Sequence, residues 1–587
     1  MKSILIKTAN RNHRTQLDLT KLLTNCYEFE MLLRTKVLTL AQYNYVMYTM
    51  KPTDALPEQQ ILTASRVDLT LPQPPRRFFR HGWQSWTLTT WLDPSDSPLP
   101  IRSPQFRAKD EDPLYAFGKN HVSAWVCAVE FGDDDILLLG ALGLGGRVEL
   151  DGLSLKGSYE FGDGGWLIAR GSEDEVFQKY VTLLSEKFGK TRYEKPPRVW
   201  CSWYSLYKWI NEHIILNALD SLGDLPFDVF QLDDGWQITH GDWEPTRKFP
   251  SGMTELASRI LATGRTPGLW IAPFMVTKLS NIYRDHPDWL LRDDHGRPVP
   301  VGITWEGVPY ALDTSHPEVL EWLEQLIRKV RGWGYNYLKL DFLYAGALPG
   351  KRYKDIPREE AYRNALKVIR EAAGDAYILV CGAPILPSIG LCDGLRVGPD
   401  VSPYWLNTPL TVWLNNPNDT STQNSIRTSI HRLWMKPLVN IDPDVMFFRS
   451  RHNALRSNEQ QLLLDLGNIS GFKATSDLPQ WMKAREVESL REFLESNVEV
   501  QKVNRYQYIV NGRLVDFNPA VPLPAHRNFP VWFAQNLGFL KVARHQVLPA
   551  ILESLKHNHE MRWLLYPLLT SLSTFTAAGN HPDAAGM

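Results

Sequence analysis

Hydrophobic and polar positions alternate in two different rhythms along the chain. From residue 1 to about 190 the apolar runs are short and closely punctuated: AWVCAVEF is followed by GDDD, ILLLGAL by GLGG, and RVEL by DG. Tight Asp-Gly and Gly-Gly turns between such runs read as antiparallel hairpins, and an N-terminal β-sandwich is expected. The Gly143–Gly146 cluster has the wrong glycine spacing for a dinucleotide fingerprint and reads as a turn. Prolines 72, 74 and 75 interrupt the pattern, because proline cannot donate to a sheet ladder. They leave His81-Gly-Trp-Gln-Ser-Trp86 as an aromatic loop. A helical stretch, EDEVFQKYVTLLSEKFG, then leads to Lys195-Pro196-Pro197, a candidate boundary.

From Arg198 the rhythm lengthens. Apolar runs at 199–206, 227–236, 266–274, 337–343, 376–382, 394–400, 438–442 and 471–477 read as strands. Between most of them lie stretches with apolar residues at helical spacing, such as MTELASRILATG, EVLEWLEQLIRKVRGWG and PREEAYRNALKVIREAAG. Eight strands alternating with helices predict a (β/α)8 TIM barrel. The link between the fifth and sixth strands, APILPSIGLC, is too short and proline-rich to promise a helix. A doubly wound sheet would want a phosphate-binding glycine loop after its first strand, and the sequence has none there. WMKAREVESLREFLESN reads as the last barrel helix. YQYIV and RLVDF then flank Asn511-Gly512, a strong hairpin signal. LPAILESLKHNHEMRWLLYPLLTSL reads as helical, limited by Pro567, and the tail after it as loose. The predicted organisation is a sandwich over 1–190, a barrel over 191–497 and a small C-terminal domain over 498–587.

Charge and composition narrow the function. The net charge of −1 offers no basic field for nucleic acid. Five cysteines, odd in number and unclustered, argue against a disulfide framework or zinc site and fit a reducing compartment. The first residues, MKSILIKTANRNHRTQ, lack the apolar core of a signal peptide, and no run of eighteen apolar residues occurs. A cytoplasmic protein without membrane or nucleic-acid partners is expected. Twenty-one Trp and 22 Tyr are either core filler or flat faces for sugars, whose C–H faces match an indole.

Barrel strands aim their C-terminal ends at one pocket. The first brings Trp203, the second Asp233, Asp234 and Trp236, and the third Trp270. The fourth brings Lys339 and Asp341, the fifth Cys381 and the sixth Arg396 and Asp400. A metal amidohydrolase would need clustered histidines, and only His240 lies close behind a strand. A phosphate site would want a glycine-rich turn near LVNIDPD and FKATSD. A Ser or Cys hydrolase would need a base His; Cys381 is a reactive thiol or a buried structural one. Paired carboxylates between aromatic walls remain, and those serve glycoside chemistry. Asp341 and Asp400 are the candidate pair, although an Asp ending a strand can also cap the next turn. Asp233 and Asp234 suit neighbouring sugar hydroxyls, while Asp-Gly is equally turn chemistry. Lys339, two residues before Asp341, shares its face and is expected to keep it ionised.

WCSWY at Trp200, FQLDDGW at Phe230, GLWIAPF at Gly268, HPDW at His286, YALD at Tyr310, YLKLDFLYAGALPG at Tyr337, CGAPILPSIGLCDGLRVGPD at Cys381 and GWQSW at Gly82 run in one order. Together they resemble glycoside hydrolase family 36, the α-galactosidases of clan D, in their compact bacterial form. The resemblance implies retaining hydrolysis of α-galactoside oligosaccharides with no cofactor and no metal. Asp341 matches the family nucleophile and Asp400 the acid/base. Asp233 and Asp234 match the pair that binds the galactose 4- and 6-hydroxyls. Lys339, Arg396, Cys381, Trp203 and Trp270 match pocket residues, and Trp86 an aromatic lent by the N-terminal domain. Cys381 sits where relatives crowd the sugar's 2-position, which favours a free hydroxyl over an N-acetyl group. The C-terminal segment departs from the family, which usually closes with a β domain. A transglycosidase, another α-glycosidase acting on a glucoside or an N-acetylgalactosaminide, and a non-catalytic sugar-binding protein stay open. So does the choice between monomer and homo-oligomer.

Overall fold

Strands with apolar side chains on both faces can only be buried on both faces, which favours a parallel sheet wrapped in helices. A computed structural model describes residues 47–50, 58–96, 107–115, 120–406 and 418–523, and eight such strands form its centre. They are β1 (Val199–Cys201), β2 (Val229–Leu232), β3 (Thr266–Ile271), β4 (Tyr337–Leu340), β5 (Tyr377–Val380), β6 (Gly394–Arg396), β7 (Asn440–Asp442) and β8 (Ala474–Thr475). Every neighbouring pair in the order β7-β6-β5-β4-β3-β2-β1-β8 is parallel. Just past β7, Met446 bridges to Thr475, its N–H donating to the Ala474 carbonyl at 2.7 Å, so the two ends of the sheet meet. The curled eight-stranded sheet fits a (β/α)8 barrel.

Helices follow the strands in turn: α1 (Glu212–Ser221), α2 (Gly252–Ala262), α3 (Pro317–Gly332), α4 (Arg358–Ala373), α5 (Ile385–Ser388), α6 (Thr422–Ile430), α7 (Ser457–Ser470) and α8 (Ala484–Glu495). In α3 the His316 side chain caps the first turn, Pro317 opens it, and Val319, Leu323, Leu326, Ile327 and Val330 form one buried stripe. The proline-rich link between β5 and β6 makes only the single turn α5.

Strands are shorter than the apolar runs. β1 ends at Cys201, so Trp203 is not on a strand as expected but opens a one-turn helix, Trp203–Leu206. The Leu206 N–H closes back on the Ser202 carbonyl at 3.0 Å, and that turn replaces sheet pairing. Asp341, Cys381 and Asp400 likewise stand just beyond β4, β5 and β6.

Before the barrel lie two sheets. One has five strands, in the order Met47–Met50, Arg66–Thr70, Ser154–Tyr159, Gly146–Asp151 and His121–Ala124. The other has six, in the order Gln59–Ala64, Gly164–Gly171, Asp135–Ala141, Val126–Gly132, Arg77–Arg80 and Thr90–Leu92. Their pairings are antiparallel except that Met47–Met50 runs parallel to Arg66–Thr70, a departure from the hairpin pattern. The reason is topological: the intervening strand, Gln59–Ala64, belongs to the other sheet, so the chain crosses over and returns in the same direction. After α8, Gln507–Val510 and Arg513–Asp516 form the predicted hairpin, and Val500–Lys502 adds a third strand. Asn511 and Gly512 have φ of 48° and 77°, as a type I′ turn requires. The helical reading of LPAILESLKHNHEMRWLLYPLLTSL lies outside the described residues.

The N-terminal sheets dock on α4 through buried charge. Glu359, in the first turn of α4, accepts the Trp83 and Trp125 indole N–H groups at 3.1 and 3.0 Å and the Gly145 N–H at 2.6 Å. Arg147 reaches both Glu359 and Asp112, at 2.8 and 2.6 Å, and Arg358 reaches Asp112 at 2.7 Å. Removing one member of a buried ionic set leaves its partners uncompensated, at a cost of about 3–5 kcal/mol. Glu359→Ala is therefore expected to lower unfolding stability by about that amount, read by urea denaturation. An unchanged midpoint would exclude this network as the docking element.

Candidate active site

Asp341 follows β4 directly, with its own N–H bound to the Ile271 carbonyl of β3. Its two carboxyl oxygens are held separately. Trp270 Nε1–H donates to Oδ2 at 3.0 Å and the Phe342 N–H to Oδ1 at 2.7 Å. The second bond needs the chain to turn sharply, and Phe342 has φ 53°, ψ 32°, a left-handed conformation costly for a bulky residue. Burial pushes the Asp341 carboxyl above its ordinary range. The Lys339 ammonium, the Trp270 N–H and the Phe342 N–H pull it down, and the charge on Asp400 pushes it up again; the net direction is up. Lys339 favours ionised Asp341, as expected from the sequence, but does not outweigh its burial. Its Nζ pairs with Asp233 Oδ2 at 2.8 Å, and only its field reaches Asp341. The Lys339 side chain extends from the middle of β4, and the end of β2 presents Asp233 to it.

Asp233 and Asp234 have different surroundings. Asp233 accepts Lys339, Gln231 Nε2 at 2.8 Å, the Cys201 thiol at 3.4 Å and the Asp234 N–H at 2.9 Å. Burial alone would raise its carboxyl, but Lys339 and these donors hold it below the ordinary value. Asp234 accepts Gln237 Nε2 on Oδ1, while its buried Oδ2 has no hydrogen-bond partner among the described residues. His240 lies beyond it, fully buried, with Nε2 3.9 Å from Asp234 Oδ2 and Nδ1 3.8 Å from Glu306 Oε2. Burial pushes the imidazole down, but Asp234, Glu306 and Asp341 outweigh it and raise its pKa. Asp234, His240 and Glu306 bring ligating atoms within 4.8 Å of one another, a set that could take a divalent cation. The two ring nitrogens face different carboxylates, however, and one imidazole lends a cation only one nitrogen. Sequence reasoning noted His240 only as too solitary for a metal site and missed Glu306, which lies in the loop between β3 and α3.

On the opposite side, Arg396 ends β6 with its guanidinium shared among three carboxyls. Nη1 meets Asp400 Oδ1 at 3.1 Å, Nε meets Asp442 Oδ2 at 2.9 Å, and Nη2 meets Asp444 Oδ1 at 2.9 Å. Tyr204 donates to Asp444, and its hydroxyl lies 3.3 Å from Arg396 Nη1. Asp400 is the most open of the three acids, with its side chain 33% exposed against 1% and 0%. Asp442 ends β7 and Asp444 lies two residues past it; the sequence reading singled out neither.

The aromatic loop is fastened from below by Arg432. Its Nη1 and Nη2 donate to the carbonyls of Ser85, Gly82, Gln84 and Thr87 at 2.5–3.1 Å, and to Val397 at 2.9 Å. Trp86 is thereby laid against Phe342 and Tyr344, edge-on at 5.3 and 5.9 Å between ring centroids. Gly382, after β5, adopts φ 54°; a Cβ there would come within 2.9 Å of the Trp86 ring. The buried Trp86 Nε1–H has no acceptor among the described residues. Cys381 is buried in the fields of Asp341, Asp400, Lys339 and Arg396, and burial raises its thiol well above the ordinary value, which keeps it neutral. Trp203 packs on Tyr207 and Trp305, with centroids 5.3 and 5.0 Å apart.

The melibiase family model matches residues 168–370. The chain is similar to TtGalA, an α-galactosidase from Thermus thermophilus solved with p-nitrophenyl α-D-galactopyranoside. The two are 45% identical with a TM-score of 0.75, over 80% of this chain and 96% of that one. It shares its fold with the family 36 α-galactosidase AgaA from Geobacillus stearothermophilus, at 15% identity and a TM-score of 0.52, over 77% of this chain and 69% of that one. In sequence, AgaA from Geobacillus stearothermophilus is 30% identical over 215 residues, 34% of this chain and 28% of that protein. The α-galactosidase Mel36A from Lactobacillus acidophilus is 27% identical over 179 residues, 29% of this chain and 24% of that protein. The chain spans about a quarter of the length of these curated relatives.

Because His240 binds its proton more tightly folded than unfolded, it adds stability below its ordinary pKa of 6.5. That contribution is lost as pH rises through the folded pKa. Denaturation of wild type and His240→Gln between pH 5.5 and 8.5 should show wild type losing its advantage as pH rises above 6.5. Parallel curves would remove His240 from the charged cluster.

Proposed function

The chain belongs to glycoside hydrolase family 36, the melibiase family, and we propose that it is a retaining α-galactosidase. The reading is carried by one observation. Asp341 has both oxygens fixed by N–H donors, Asp400 stands half-open on Arg396, and the charge on Asp400 is felt at Asp341. In the first step an Asp341 oxygen attacks the anomeric carbon while Asp400, protonated, gives its proton to the departing glycosidic oxygen. The ester bond to Asp341 forms as the glycosidic bond breaks. Asp400 then takes a proton from water, the resulting hydroxide attacks the anomeric carbon, and Asp341 leaves as a carboxylate. Two inversions give retention, which calls for carboxyls about 5–5.5 Å apart.

The remaining groups suit sugar recognition. Asp234 Oδ2 is an acceptor suited to a hydroxyl, Asp233 is held rigid by Lys339, and the Trp86 N–H is a donor without an acceptor among the described residues. Such desolvated polar atoms gain most from a ligand that pairs them. Stachyose and p-nitrophenyl α-D-galactopyranoside, bound by the related Thermus enzyme, are the first substrates to try. We read 1–190 as the β-sandwich that lends Trp86, 191–497 as the catalytic barrel and 498–587 as a small C-terminal domain. Four buried free thiols, Cys127, Cys201, Cys381 and Cys392, suit the reducing cytoplasm.

Asp341→Gly is expected to reduce turnover of p-nitrophenyl α-galactoside to below roughly a thousandth of wild type. Azide should rescue it with formation of β-galactosyl azide, whereas rescue of Asp400→Gly should give the α-azide. Unimpaired hydrolysis in either variant would assign the chemistry to a different pair. Trp270→Phe removes a donor that favours ionised Asp341, so the acid limb of kcat/KM should move to higher pH. An unmoved acid limb would detach Trp270 from the titration.

A further inference from the structure

We propose that Asp444 is a positioning residue that sets the place and the proton affinity of Asp400, acting through Arg396 and the Val401 N–H. The inference rests on the acid/base reading of Asp400. Asp444 touches both sides of that residue's support. Its Oδ1 pairs with Arg396 Nη2 at 2.9 Å, and Arg396 Nη1 in turn holds Asp400. Its Oδ2 accepts the N–H of Val401, the residue that follows Asp400, at 2.9 Å. The backbone is bent to make this possible. Asp444 has φ 85°, outside the regions a non-glycine residue ordinarily adopts, and its N–H is tied to Asp442 Oδ1 at 2.8 Å. Strain of this kind persists only where the surroundings over-determine the conformation, and it gathers at functional sites.

The charge count supplies the mechanism. One guanidinium faces three carboxyls, Asp400, Asp442 and Asp444, in a site where Asp442 and Asp444 are almost wholly buried. Like charges so close do not all ionise together. The groups that face Asp444 are Arg396 and Asp400 from β6 and its loop, Asp442 from the end of β7, Cys201 from the end of β1 and Tyr204 from the helical turn after it. Burial, Asp400 and Asp442 outweigh Arg396 and Tyr204 there and raise the Asp444 carboxyl to about 7. Below that pH Asp444 is neutral and makes no demand on Arg396. Above it, Asp444 ionises, draws on the same guanidinium that holds Asp400, and opposes a second negative charge there.

The test is the pH dependence of kcat/KM for p-nitrophenyl α-galactoside and stachyose in wild type, Asp444→Asn, Tyr204→Phe and Asp400→Ala. Asp444→Asn keeps the side chain's size and removes its charge. Its basic limb should move to lower pH by about one unit while the acid limb stays in place. Tyr204→Phe should give a smaller shift in the same direction, since the hydroxyl favours ionised Asp444, and it serves if the Asn variant fails to fold. Asp400→Ala should lose the basic limb. If it does, but the limb is unmoved in the Asp444 and Tyr204 variants, Asp444 is merely structural and the inference is overturned alone. If Asp400→Ala keeps the basic limb, the acid/base reading falls and takes this inference with it.

Discussion

Arg432 is buried among backbone carbonyls, and two elements of the site are fixed by that one guanidinium. Four of its acceptors belong to the loop that carries Trp86; the fifth, Val397, follows Arg396 in the chain. Burying a cation is costly unless its donors are matched, and carbonyl dipoles match them here without cancelling the charge. Burial and the nearby Arg80 accordingly lower the Arg432 pKa to about 9. The loop carrying Trp86 and the end of β6, which bears Arg396, are thus held in one register. Movement of either strips hydrogen bonds from the same buried ion.

Around the pocket, similar acids are driven in opposite directions. Asp233 is held low by Lys339 despite its burial, Asp341 is held high by its burial despite two donors, and Asp444 is raised first by its burial and then by Asp400 and Asp442 beside it. The contrast follows from which strand offers a cation. β4 directs Lys339 at the β2 carboxyl rather than at the carboxyl two residues further along its own chain. Asp341 therefore ionises against its surroundings, which sets it apart from Asp233.

Much of the fold was legible because it repeats. All eight strands and the Asn511-Gly512 hairpin announced themselves by period and turn chemistry, and the shortness of α5 between β5 and β6 by its prolines. Within the site, residues at strand ends could be named because a barrel gathers them. What escaped were spatial relations and the residues that only such relations single out. The partner of Lys339 depends on the stagger between β2 and β4, which no local pattern encodes. Glu306 comes from a long loop. Arg432, in a segment without a motif, acquires its role only from carbonyls about 350 positions away in the chain. The parallel pair at Met47–Met50 was hidden because period-2 alternation says nothing of which sheet a strand joins.

The contact between Glu359 and the indoles of Trp83 and Trp125 also bears on how such a chain can diverge. A strand-end carboxylate can be exchanged for another chemistry while the barrel stands. Glu359 and Arg432 cannot be exchanged alone, because each completes its bonding with atoms from a stretch far away in the sequence. A foreign N-terminal segment joined at Pro196-Pro197 would have to present two indole donors and four carbonyls in register before the barrel could keep its shape. A substitution on either side of these contacts is therefore answerable to residues on the other side of Pro196-Pro197.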